Sequence, residues 1–171
     1  MEFRFRDIVA GRGETQIDTA FRADEVARER SDVTISEPVH VELSVKAESD
    51  GLARAHGKLT AKMELLCSRC LTSFTETYVI PFEEQFKLKD STDLPAEEEE
   101  EDVILVADDL VDLKPYVEET LLMNLPYAPL CDEACKGLCP TCGTNRNEHP
   151  CGCSKERIDP RLAGLQDFFK K

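Results

Sequence analysis

Polar and apolar residues alternate over much of the first half of the chain. Val33, Ile35, Val39, Val41, Leu43 and Val45 share one parity, and Thr34, Ser36, His40, Glu42, Ser44 and Lys46 share the other. A period of two sends successive side chains to opposite faces, so residues 33–46 predict a half-buried strand. Ser49-Asp-Gly51 predicts a turn. Residues 52–66 alternate again, with Ala53, Ala55, Leu59, Ala61, Met63 and Leu65 set against Arg54, His56, Lys58 and Lys62. A third run, 72–88, puts Phe74, Tyr78, Ile80, Phe82, Phe86 and Leu88 on one parity. Pro81 has no N–H to donate and points to an edge position or a bulge there. Residues 3–9 predict a short first strand ended by Gly11-Arg-Gly13, and 14–32 a loop with room for a short helix. The strands predict an antiparallel β-meander, or a partly open barrel.

The second half changes character. Residues 90–102 hold Glu97 to Glu101 and Asp102 with no basic residue, which predicts a solvated loop. Val103–Val106 predicts a short strand. Asp112 is placed to cap a helix running to Leu125, with Leu113, Val117, Leu121 and Leu125 as its apolar stripe and Glu118 and Glu119 in its early turns. Pro126 and Pro129 stop it. Asp159-Pro160 starts a terminal helix whose Leu162, Leu165, Phe168 and Phe169 pack on the sheet or dock on a partner. The expected fold class is α+β, with a β-rich domain over 1–130 and a cysteine-rich zinc module with a C-terminal helix over 131–171, packed as one unit.

Cysteine spacing adds chemistry to this frame. Six of the eight cysteines lie in the 23 residues from Cys131 to Cys153, and the other two, Cys67 and Cys70, follow the strand predicted over 52–66. Zinc takes four ligands in a tetrahedron, and two thiolates two or three residues apart on a tight turn reach one ion. Cys139-Pro-Thr-Cys142-Gly143 has the form of such a knuckle, with Pro140 stiffening the turn and Gly143 free to take the left-handed conformation. In an extended segment Cys151 and Cys153 face the same side. The half-sites are Cys67/Cys70, Cys131/Cys135, Cys139/Cys142 and Cys151/Cys153, enough for one or two structural zinc ions. The local pairing joins Cys139/Cys142 to Cys151/Cys153 and leaves Cys131/Cys135 to close with Cys67/Cys70. Interleaving stays open, since Cys135 and Cys139 are also four apart.

Other uses of cysteine fit less well. The opening Met1-Glu-Phe-Arg-Phe-Arg-Asp is charged and has no apolar segment, so a cytoplasmic chain is expected, and such chains rarely keep disulfides. A redox pair at Cys67 and Cys70 would lack a helix N-terminus to lower its pKa. An iron–sulfur cluster would use the same four-cysteine set. Each four-thiolate zinc site carries about −2, and Arg69, Lys136, Arg146, Lys155 and Arg157 lie beside the cysteines to offset it.

Charge narrows the partners. Of the net −14, residues 90–130 carry −12, from 13 acidic residues against Lys114. Such a chain has no general electrostatic footprint for nucleic acid. No apolar run is long enough to span a bilayer. Neither a Gly-rich phosphate loop nor a Gly-x-Ser-x-Gly elbow appears. His40 and His56 sit on polar strand faces, and His149 lies among cysteines that already suffice as ligands. No catalytic constellation emerges, and neither an enzyme nor a small-molecule substrate is expected.

Cys67-Ser-Arg-Cys70-Leu71, the run from Cys135 to Asn145, Cys151/Cys153 and Asp159 to Leu165, in this order around an acidic middle, resemble the bacterial YceD-type family of large ribosomal RNA subunit accumulation proteins. The resemblance covers most of the chain. It implies a cytosolic, non-enzymatic factor for synthesis, processing or stability of large-subunit (23S) ribosomal RNA, with structural metal sites. The charge then favours a ribosomal protein or pre-ribosomal particle as partner, with direct RNA binding by the zinc module ranked below it. A zinc-stabilised interaction module unrelated to ribosomes is the alternative.

Overall fold

The computed structural model describes residues 1–11, 13–23, 26–28, 30–48, 51–89 and 103–153. The expected acidic loop over 90–102 and the expected terminal helix from Asp159 lie outside these residues. The elements in chain order are β1 (Glu2–Arg4), α1 (Phe5–Val9), β2 (Thr15–Phe21), β3 (Val33–Ile35), β4 (Val39–Ala47), β5 (Ala53–Leu66), β6 (Ser73–Leu88), β7 (Val103–Val106), β8 (Leu110–Asp112) and α2 (Lys114–Met123).

The main sheet runs β2-β4-β5-β6-β7, and β3 continues the line of β4 along the far end of β5. β4, β5 and β6 form the expected antiparallel meander, and β2 extends it on the β4 side. β5 and β6 pair from Ala53↔Phe86 to Leu66↔Ser73, one hairpin that at the usual rise per residue is roughly 45 Å long. Its connection is the segment that holds Cys67 and Cys70. Pro81 is accommodated because β7 pairs only with Gln85 to Leu88, and among the described residues no strand pairs with that edge of β6 at residue 81.

Four expectations need correcting. The single strand expected over 33–46 is interrupted at 36–38, around Pro38, so β3 and β4 pair separately with β5. The strand expected over 3–9 stops at Arg4, and Phe5–Val9 is a helix: Phe5 and Ile8, three apart, are both buried on one helical face. The loop expected over 14–32 begins with β2, paired to β4 from Thr15↔Val45 to Phe21↔Val39. β7 exists where expected but lies parallel to β6, so the sheet is not purely antiparallel.

The apolar parity of each strand faces one core. Val39, Val41, Leu43, Val45, Leu59, Met63, Leu65, Phe82 and Phe86 are buried there, closed over by α1 on β4 and β5 and by α2 on β6. Phe86 is held edge-on between Phe3 of β1 and Tyr116 of α2, at centroid distances of 5.7 and 5.2 Å. Burying one such side chain stabilises by about 1.5–3 kcal/mol. In α2, Val117 and Leu121 are buried, while Asp112 sits one residue before the cap position and accepts the Lys114 N–H at 2.9 Å.

The opposite face of the sheet is a charge ladder. Lys46 pairs with Glu14, Lys58 with Glu42, Lys62 with Glu37 and Arg54 with Glu83. Exposed pairs contribute little stability, but these four cations are neutralised. Among the described residues no helix is long and apolar enough to cross a membrane.

Candidate metal centres

The end of the long hairpin is fastened to the chain that follows α2. Leu66 N–H donates to the Asp32 carbonyl (2.9 Å), and Ser68 N–H and Oγ donate to the Pro129 carbonyl (2.9 and 3.1 Å). Arg30 forks onto the Asp32 carboxylate and donates to the Pro126 carbonyl at 2.9 Å. These contacts bring residues 131–135 against the Cys67–Cys70 turn.

All eight cysteines are free thiols, and they converge in two groups of four. The first centre is Cys67, Cys70, Cys131 and Cys135; the second is Cys139, Cys142, Cys151 and Cys153; within each, the sulfurs all lie within 4.8 Å of one another. The pairs are not interleaved. A tetrahedron with arms of roughly 2.3 Å has edges of about 3.8 Å. Cys67 Sγ lies 3.8 Å from Cys135 Sγ, and Cys70 Sγ 3.6 Å from Cys131 Sγ. A disulfide would need about 2.05 Å. The donor chemistry and the spacing therefore fit a four-thiolate metal ion in each group. His149 belongs to neither group; its backbone N–H donates to the Asn145 carbonyl.

The two knuckles are built alike. Leu71 N–H donates to the Cys67 carbonyl (2.9 Å), as Gly143 N–H does to Cys139 (2.8 Å). Cys67 N–H donates to the Thr72 carbonyl (3.0 Å), as Cys139 N–H does to Thr144 (2.9 Å). Thr72 Oγ1 lies 3.3 Å from Cys70 Sγ, and Thr144 Oγ1 3.2 Å from Cys142 Sγ. The shared pattern, Cys-x-x-Cys-x-Thr, is present in the sequence as Cys67–Thr72 and Cys139–Thr144, but the threonines carried no meaning until the fold placed them. The residue after the second cysteine has positive φ in both turns, 59° at Leu71 and 73° at Gly143.

These surroundings split the thiols of each centre. Burial raises Cys67, but the N–H groups of Cys131, Cys70 and Arg69 outweigh it and hold the thiol down at about 6. The N–H groups of Cys142 and Thr141 hold Cys139 at about 6. The hydroxyls and N–H groups of Thr72 and Thr144 lower Cys70 and Cys142. Cys131, against Cys70, and Cys153, against Cys142, are pushed up to about 12. Four thiolates so close repel one another, and a divalent cation removes that repulsion.

Arg69 is structural. Its Nη1 donates to the Glu133 and Cys135 carbonyls (3.1 Å each), and its own carbonyl accepts from Leu138 N–H at 2.9 Å. Gly137, at φ 68°, packs so closely on Arg69 that a Cβ would lie 2.8 Å from that carbonyl oxygen. Lys136 and Arg146 line a cavity of about 540 Å³ beside the second centre, with Pro140 and Pro150. Lys155 and Arg157 lie outside the described residues.

Comparison with known proteins extends these findings. The chain is 34% identical over 130 residues to an uncharacterized protein of Mycobacterium tuberculosis, covering 75% of this chain. It spans 61% of the length of that mycobacterial relative. It is 28% identical over 157 residues to the uncharacterized protein YlbN of Bacillus subtilis, covering 91% of this chain and 88% of YlbN. A 49-residue match, 33% identical, reaches the chloroplastic large ribosomal RNA subunit accumulation protein YCED homolog 1 of Arabidopsis thaliana, covering 29% of this chain and 15% of that protein. No solved structure matches. The family model for the large ribosomal RNA subunit accumulation protein YceD matches residues 55–169, a span that runs from β5 through both cysteine centres. The chain belongs to the YceD family of large ribosomal RNA subunit accumulation proteins.

Proposed function

We propose that this protein is a non-enzymatic factor for the synthesis, processing or stability of large-subunit (23S) ribosomal RNA, acting in the cytoplasm through a protein partner, with two structural zinc ions. The observation that carries the reading is the family match over residues 55–169, which contains all eight cysteines. Zinc is the ion of choice for a closed four-thiolate site with no open position for substrate. An ion held by four thiolates has all its positions taken by the protein, which suits an architectural role.

Charge supports the protein partner. Between Asp90 and Asp112 there are 11 acidic residues and no basic one. Ribosomal proteins are basic, and such a segment suits holding one before it meets RNA. The family role is tested by the ratio of large- to small-subunit ribosomal RNA after depletion of the protein in its host. A selective loss of large-subunit RNA is expected, and an unchanged ratio with normal particles overturns the reading. The partner is tested by recovery of ribosomal proteins at moderate salt after deletion of residues 93–102. Recovery should fall, and unchanged recovery removes the acidic segment from the account.

The cavity beside Lys136 and Arg146 favours a second reading, direct phosphate contact by the cysteine module. Binding would then weaken steeply with salt. The second centre's own charge of about −2 when loaded argues against it, because two cations only balance the site. No gel shift with large-subunit RNA fragments at low salt would dismiss it.

A further inference from the structure

One side chain reaches from the loop of the second centre to a thiol of the first. Asn147 lies in the loop between Cys142 and Cys151, so it belongs to the second centre's framework. Its Nδ2 donates to Cys135 Sγ of the first centre at 3.2 Å, and its Oδ1 accepts the Lys136 N–H at 2.7 Å. Asn145 orients it, with Oδ1 accepting from Asn147 N–H (3.1 Å) and Nδ2 (2.9 Å). The Arg146 N–H donates to the Gly137 carbonyl at 3.0 Å, fixing the same loop to the strip between the centres.

We infer that Asn147 is a positioning residue through which loading of the second centre strengthens metal binding at the first. The inference rests on the metal reading above. Closure entropy sets the order. The second centre spans 15 residues, Cys139 to Cys153, whereas Cys67 and Cys135 of the first are 68 positions apart. The shorter loop costs less to close and fills first. Its closure fixes residues 143–150, and with them the amide that donates to a ligand sulfur of the first centre. Outer-shell hydrogen bonds of this kind typically change metal affinity 10–100-fold. Coupling is reciprocal, so a filled first centre also tightens the second.

The test titrates the full chain with Co(II), whose thiolate charge-transfer absorption reports each filled centre, in competition with a chelator of known affinity. Wild type should take two equivalents. Asn147→Ala should weaken the first centre about 10–100-fold. In a Cys67→Ser/Cys70→Ser chain, where only the second centre remains, Asn147→Ala should change the constant less than about 2-fold. In a Cys139→Ser/Cys142→Ser chain the first centre should already be weakened, and Asn147→Ala should add less than about 3-fold, because the two changes remove one coupling. An unchanged first centre in Asn147→Ala, or equal losses in all backgrounds, overturns the inference and leaves the metal reading standing. A wild-type chain that binds no cobalt overturns both. Should a double-serine chain lose its tail, Asn147→Asp in the otherwise unaltered chain decides. It keeps the acceptor for Lys136 N–H but sets a carboxylate oxygen against Cys135 Sγ, so it should weaken the first centre more than Asn147→Ala. An equal or smaller loss overturns the coupling.

Discussion

The first and second centres share a four-cysteine donor set, knuckle geometry and a threonine against a sulfur, yet they sit in different settings. Cys67, Cys70 and Cys135 are buried against the end of the long hairpin, with Phe74 and Leu130 packed on them. In the second centre only Cys139 is buried, and Cys142 is exposed. The first joins distant parts of the chain, and the second closes on itself. Metal bound at both would therefore act once as a clamp between the sheet and the chain after α2 and once as a local brace.

Metal removal and ligand substitution test this contrast most strongly, since structural zinc contributes on the order of 10 kcal/mol to small modules. Cys135→Ser should lose one metal equivalent and open residues 126–136 to protease while the sheet stays protected from amide exchange. Cys139→Ser should also lose one equivalent, but should release residues 139–153 and spare the contacts of Ser68 with Pro129 at saturating metal. Identical protease patterns for the two variants would erase the distinction. A mutant that keeps full metal content refutes the centre concerned.

Gly137→Ala comes next. A side chain there faces both a left-handed backbone and the Arg69 carbonyl, and the loss should be about 2 kcal/mol in chemical denaturation. Wild-type stability in this variant would show that the strip between the centres yields freely.

The knuckles themselves differ at one position. Gly143→Leu should destabilise the second centre by about 1–2 kcal/mol, the cost of a left-handed conformation for a side chain with Cβ. Leu71→Gly should change stability by less than about 1 kcal/mol, because the relief of strain is offset by the flexibility of glycine in the unfolded chain. Equal effects at the two sites, read as shifts in the denaturation midpoint, would mean that the turns are not equivalent.

Arg30→Ala should have the smallest effect, about 1 kcal/mol, since the fork onto Asp32 is partly exposed and screened. Hydrogen bonding to Arg30 holds the Asp32 carboxyl below its ordinary value. A depressed folded value stabilises above the unfolded value of about 4 and is lost as pH falls through the folded one. The gap between wild type and Arg30→Ala should therefore narrow on acidification, measured by urea midpoints from neutral pH to below 3. A widening gap would reverse the assigned sign.

The contrast between the centres also marks what the sequence reveals. The hairpin was legible because apolar residues recur on one parity from Ala53 to Leu65 and from Phe74 to Leu88, on either side of Cys67-Ser-Arg-Cys70, despite Glu76 and Glu84. The grouping of cysteines was legible from short spacings. β2 was hidden because Thr15, Thr19 and Ala20 dilute its alternation on a half-buried edge strand. The helix at Phe5–Val9 was masked by the Phe3-Arg-Phe-Arg6 alternation that runs into its first turn, and the parallel pairing of β7 has no local signature. Asn147 and Thr72 were silent for another reason: their roles depend on sulfurs brought near by the fold, not on neighbours in the chain.

The reach of the first centre has a consequence in time. Cys70 and Cys131 are 61 positions apart. At a synthesis rate of about 5–20 residues per second, the two knuckle thiols wait roughly 3–12 s for their partners to be made. Throughout that interval the hairpin carries only half of the four-cysteine set. Its first protection is the register of its own side chains, and any metal held by these four thiols would be a late seal on a structure that has already had to stand unaided.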